Sequence, residues 1–172
     1  MAATLVDAAC VGPGDLILDL GAGDGMITRR LADTGAQVIA FELHPGRAAI
    51  LRRSHNGPGV TVVCADVRDL RLPTRPFRVV ANPPFDGISA ILVRLTSTAS
   101  RLDRADLVVP RRVALVWQRR LAGPRSAWLV TASVPIPRSA FTPRPRIDTC
   151  IMTIERHRPQ RAGRRTRRPR RP

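Results

Sequence analysis

Short apolar runs alternate with mixed stretches along most of the chain. Residues 16–20 (LILDL) form an apolar run ending in a glycine cluster, the pattern of a buried strand. Residues 28–32 have helical composition and stop near Gly35. The same alternation predicts strands over 37–43, 60–65, 77–81 and 106–109, with helices over 47–55, 88–95 and 112–121 between them or after the last. Two β-rich runs, 128–136 and 149–154, follow without an intervening helix. Their link, 137–147, holds three prolines and is not expected to be helical. Alternating strand and helix units imply an α/β fold: a mostly parallel, doubly wound sheet closed by an antiparallel hairpin.

The 172 residues suffice for one domain and one core, and 44% of them are apolar, too many for a disordered chain. Charge changes the picture. The net charge is +16, and every one of the 29 basic residues is arginine. Nine arginines and no acid fall in 156–172, so a catalytic body over 1–155 is expected to be followed by a disordered Arg-rich tail. A basic body with a basic tail points to a polyanionic partner, nucleic acid before membrane. Cys10, Cys64 and Cys150 form no CxxC pair, and His44, His55 and His157 are not at ligand spacing with them. Reduced thiols, no metal and a cytoplasmic location are therefore expected. No run reaches the roughly 18 apolar residues of a membrane span.

Four groups fall at the ends of predicted strands, where open parallel sheets bind ligands. Gly21 to Gly25 can bring backbone close to a ligand, and such a loop suits NAD, FAD or S-adenosylmethionine. Glu42 can accept both ribose hydroxyls of an adenosyl group, and Asp66 can accept from an adenine amino group. The fourth group, Asn82-Pro83-Pro84-Phe85, decides the chemistry. A base amine is a poor nucleophile because its lone pair is delocalised into the ring. The Asn82 amide oxygen and the Pro83 carbonyl can accept its two N–H bonds and direct that lone pair at a methyl donor. Phe85 offers a face on which an extruded base can stack. A dinucleotide oxidoreductase has no use for such a tetrad.

In this order the residues resemble the rRNA adenine N6-methyltransferases, and most closely the Erm-type (erythromycin-resistance) methylases. The likeness runs from about Val11 to Glu155 and is carried by Asp19-Leu20-Gly21-Ala22-Gly23-Asp24-Gly25, by Val38 to Leu43, by Cys64-Ala65-Asp66, by Pro76 to Phe85 and by Ala140 to Thr149. It implies a Rossmann-like class I methyltransferase fold, with S-adenosylmethionine held by Gly21, Ala22, Gly23, Glu42, Asp66, Val67 and Asn82. It implies catalysis by Asn82, Pro83 and Phe85 on an unpaired adenine of 23S rRNA, conferring macrolide, lincosamide and streptogramin B resistance. A monomer is expected, with Arg111, Arg112, Arg119, Arg120, Arg164, Arg165, Arg167 and Arg168 holding rRNA phosphates. A small-subunit 16S rRNA adenine dimethyltransferase shares every cofactor motif, and a catalytically inert rRNA-binding protein is the alternative from another class.

The chain also departs from the family pattern. Met1 falls inside what resembles the first helix, so the segment that helps cover the cofactor is expected to be missing. The helical C-terminal domain is likewise expected to be absent, giving a short form. Asp86-Gly87 follows the tetrad where the family has Gly alone, a one-residue insertion in the target loop, and Pro110 stands where Gln is common.

Overall fold

The computed structural model describes residues 1–55, 57–142 and 144–157, apart from the Val134 side chain. The tail arginines Arg164, Arg165, Arg167 and Arg168 lie outside the described residues. A seven-stranded sheet runs through the molecule in the order β3-β2-β1-β4-β5-β7-β6. Its strands are β1 (Leu16–Leu20), β2 (Gln37–Glu42), β3 (Val60–Cys64), β4 (Phe77–Ala81), β5 (Leu102–Pro110), β6 (Trp128–Ile136) and β7 (Thr149–Arg156). The first five pair in parallel, whereas β7 runs antiparallel to both β5 and β6. The expected terminal hairpin is therefore present, but its second strand enters between β5 and β6 rather than adding at the edge. That leaves β6 outermost, where Pro135 is tolerated because an edge strand need not donate on both sides.

Helices α1 (Ala2–Ala9), α2 (Met26–Asp33) and α3 (Pro45–Ser54) cover one face, and α4 (Ile88–Leu95) and α5 (Arg111–Arg120) the other. The period of two sorts the strands between these layers. Leu16, Leu18 and Leu20 pack with α4 and α5, while Ile17 packs with α1 and α2. All five residues of β1 are buried, as a central strand covered on both faces requires.

The apolar pattern misses α1 and the first half of β5. α1 precedes every predicted strand, and only the family likeness hints at it. Its C-terminal carbonyls are held by arginines from the sheet: Arg78 donates to Ala9 and, at 3.2 Å, to Cys10, and Arg104 donates to Ala8 at 3.0 Å. Cations at that end also suit the helix dipole. β5 begins at Leu102 rather than 106, because Arg104 and Asp106 neutralise each other inside the strand at 2.8 Å. Asp106 also accepts from the Thr153 hydroxyl of β7 at 2.8 Å, so its buried carboxylate is satisfied. Arg156, grouped with the tail on composition, instead ends β7, donating to the Leu102 and Ser100 carbonyls and lying 4.3 Å over the Trp128 ring.

Asp19 is the exception among the buried side chains of β1. One carboxyl oxygen accepts from the Thr28 hydroxyl of α2 at 2.6 Å, and the other has no partner among the described residues. Burial pushes its pKa up to about 7, against the opposing Thr28 hydrogen bonds and with a smaller push from Glu42. Since the unfolded carboxyl titrates near 4, folding retains a proton that the unfolded chain has lost between about pH 4 and 7. Stability from this group is thus complete below pH 4 and is lost as pH rises through 7. Urea unfolding across that range should show Asp19→Asn gaining on the wild type by on the order of 3 kcal/mol. Parallel curves would show that the folded protein does not hold this proton. Leu92, fully buried in α4, should cost about 2–5 kcal/mol when replaced by alanine, read as a lower urea midpoint at unchanged slope.

Candidate cofactor and target-base site

β1 and β4 are neighbours, yet the chain leaves them toward opposite edges of the sheet. Strand order reverses there, and the crevice beyond their carboxyl ends is where such sheets bind ligands. A cleft of about 360 Å³ opens at this point, lined by Gly21, Gly23, Glu42, Asp66, Val67 and Asn82 among others. Six of the seven residues expected to hold a cofactor thus share one cavity. The seventh, Ala22, is buried against Ala40 and Leu51, where its side chain wedges the loop onto α3.

The glycine loop is tied down by its backbone. The N–H groups of Gly21 and Ala22 both donate to the Phe41 carbonyl, at 2.9 and 2.8 Å. Gly21 has φ of +80°, and a Cβ there would lie 3.1 Å from the Pro84 ring. Glycine therefore satisfies a left-handed turn and a close approach at once.

Glu42 is almost fully buried but well supplied with donors. Its Oε2 accepts from the Gly23 N–H at 2.9 Å, and Oε1 accepts from the His44 N–H at 2.8 Å and from Arg47 Nε at 3.1 Å. Burial alone would raise its pKa; the His44 and Gly23 N–H groups and Arg47 outweigh it and hold the carboxyl below its ordinary value. The result is an ionised, fixed acceptor whose Oε2 keeps one lone pair free. Arg47 on α3 lines the cleft and pairs with Glu42, although nothing local distinguishes it among 29 arginines.

Asp66 follows β3 and caps a short 3-10 turn, Val67–Asp69. Its side chain accepts from the Arg68 N–H at 2.8 Å and from the Arg68 guanidinium at 2.6 Å. The Arg68 side chain, more than its backbone N–H, holds the Asp66 pKa below the usual carboxylate range.

The tetrad bounds a second cavity of about 300 Å³, lined by Asn82, Pro83, Pro84 and Phe85 and by Phe141, Thr142 and Pro145 of the β6–β7 link. Asn82 and Pro84 belong to both cavities. Among the described residues, no hydrogen bond engages the Asn82 amide, so its oxygen is free for a ligand. Phe141 brings a second aromatic ring to the cavity that holds Phe85. It sits in the stretch carrying the family likeness, although the residue chemistry alone did not single it out.

The arginines expected at RNA divide. Arg111 and Arg112 open α5 directly after β5, at the same edge of the sheet as the tetrad, and are exposed. Arg119 and Arg120 lie roughly 12 Å further along the helix. Arg120 rests over the Trp117 ring at 4.9 Å. Arg144 and Arg146, not expected from sequence, flank Pro145 beside the second cavity. Both are exposed and have no ion-pair partner among the described residues.

Residues 1–165 match the family model for ribosomal RNA adenine dimethylase. The chain is 31% identical over 170 residues to ribosomal RNA small subunit methyltransferase A of Geobacter sulfurreducens, covering 87% of this chain and 59% of that protein. It is 36% identical over 150 residues to the mycinamicin-resistance protein MyrB of Micromonospora griseorubida, covering 81% and 46%. The crystal structure of 23S rRNA methyltransferase ErmE matches with a TM-score of 0.78 at 28% identity, covering 91% of this chain and 67% of that one. The chain spans about half the length of the curated relatives it matches. It belongs to the ribosomal RNA adenine dimethylase family and has the Rossmann-like fold of S-adenosylmethionine-dependent methyltransferases.

Proposed function

We propose that this protein transfers a methyl group from S-adenosylmethionine to N6 of an unpaired adenine in 23S rRNA, conferring macrolide, lincosamide and streptogramin B resistance. The observation that carries the reading is the junction of two cavities at Asn82 and Pro84. One is lined by glycines and acids suited to an adenosyl group, the other by aromatic and proline side chains suited to a flat base. The residues fit the cofactor: Glu42 is ionised and fixed, with one lone pair on Oε2 free for a ribose hydroxyl. Gly21 and Gly23 present backbone without side chains, and the Asn82 amide is free to bind.

When bound, S-adenosylmethionine supplies a methyl group made electrophilic by its positive sulfonium. The Asn82 amide oxygen and the Pro83 carbonyl accept the two N–H bonds of the target amine and fix the direction of its lone pair. Phe85 and Phe141 bound the base's cavity and offset the stacking lost when the base leaves its strand. The proton left on nitrogen after transfer departs to water. Arg111, Arg112, Arg144 and Arg146 hold phosphates next to the target, which positions the strand without reading its sequence.

Likeness to the 23S rRNA methyltransferase ErmE supports the large-subunit target, and likeness to the mycinamicin-resistance protein MyrB supports the resistance. Likeness to the Geobacter small-subunit enzyme favours a second reading, a 16S rRNA adenine dimethyltransferase. Primer extension on both rRNAs from expressing cells separates them, because N6-dimethyladenine stops reverse transcriptase. A stop in 23S rRNA together with raised macrolide tolerance is expected; a stop confined to 16S rRNA selects the second reading.

Asn82→Ala should abolish methyl incorporation into rRNA while RNA binding persists in a filter assay. Methylation at wild-type rate by that variant would remove Asn82 from the mechanism. Replacing Arg144 and Arg146 together by alanine should weaken RNA binding and flatten the plot of log affinity against log salt by about 1 per lost phosphate contact. An unchanged slope would take these arginines off the RNA.

A further inference from the structure

Asp66 faces two competing demands. Its carboxylate lines the cleft where the proposed function needs an acceptor for an adenine amino group. In the structure that carboxylate is engaged by Arg68, whose Nε lies 3.1 and 3.0 Å from its two oxygens and whose Nη2 lies 2.6 Å from Oδ2. The Arg68 side chain is 60% exposed and that of Asp66 21%, so water and salt reach the guanidinium and compete for it.

A second acid lies within reach. Asp86 is exposed, lines the same cleft, and has no hydrogen bond or ion pair among the described residues. Behind the bond from Asp66, the charges of Asp86 and Asp69 also raise the Arg68 pKa. The aliphatic stem of Arg68 already crosses the loop carrying Asp86, its Cδ only 3.3 Å from where a Gly87 Cβ would sit. The backbone beneath is anchored separately: Arg94 of α4 donates to the Arg68 carbonyl at 2.8 Å and to the Leu70 carbonyl. The guanidinium can therefore swing while the turn stays in place.

We propose that Arg68 is a displaceable latch, yielding Asp66 to the amino group of an incoming adenine and pairing instead with Asp86 on the loop that follows the tetrad. The proposal rests on the cofactor reading above. It makes cofactor arrival felt at the base pocket, because Phe85 and Asp86 are consecutive. Arg68 is thus a positioning residue that acts through two carboxylates.

The test is isothermal titration of the full chain with S-adenosylhomocysteine, whose net charge is close to zero. Wild type, Arg68→Gln, Asp86→Asn and the double variant are compared at low and high salt, with unfolding midpoints confirming that each is folded. Arg68→Gln should bind about two- to fivefold tighter than wild type at low salt, with the gap closing as salt screens the pair. Asp86→Asn should bind more weakly by a similar factor, and that loss should vanish in the Arg68→Gln background. A general electrostatic effect would instead leave the two substitutions additive, which overturns the latch. Arg68→Gln binding no tighter than wild type overturns it as well. Absence of binding by all four proteins overturns the cofactor reading itself, a result distinct from either.

Discussion

The approach of the glycine loop to the tetrad is the constraint on which the rest of the site depends. Residue 21 can sit against Pro84 only because it lacks a Cβ and holds a positive φ. The strand order supplies the other half, since β1 and β4 are hydrogen-bonded neighbours and deliver their following loops to the same edge. Under the proposed function a methyl donor and an acceptor base must meet within bonding distance, which a side chain between these two loops would oppose. Two prolines stiffen one side of this contact. Two backbone hydrogen bonds to Phe41 fix the other.

Much of this was readable from the chain. The central strands and α4 lie where apolar runs predict them, because parallel strands buried on both faces leave a dense apolar signal. Glu42, Asp66 and Asn82 meet in one cleft because each ends a strand of the same parallel sheet, so position in sequence translates directly into position in space. What escaped had no local signature. The first half of β5 reads as a loop because Asp103 and Arg104 look exposed, and Arg104 is accommodated there by its pairing with Asp106, which Thr153 also supports. The insertion of β7 between β5 and β6 is a tertiary choice that a hairpin pattern leaves open. Arg47 and Arg68 are decided by which carboxylate each can reach, a matter of distance rather than composition.

Charge is sorted around the junction in a way that a single net value conceals. The chain carries +16, yet Glu42, Asp66 and Asp86 line the cofactor cleft, with Arg47 and Arg68 beside them. The second cavity has no charged lining residue among those described, and Arg144 and Arg146 flank it. A sulfonium cofactor with an ammonium group is drawn to the acidic side, whereas a phosphate backbone is drawn to the basic one. Three carboxylates so near a polyanion's path would repel it if bare. Arg47 and Arg68 screen two of them, which under the proposed function reconciles an acid-lined cleft with an RNA substrate. The same screening ties the two pockets energetically. Any ligand that draws Arg68 away from Asp66 changes the charge presented to the strand beside Phe85, so occupancy of one side alters the field on the other without a rearrangement of the fold.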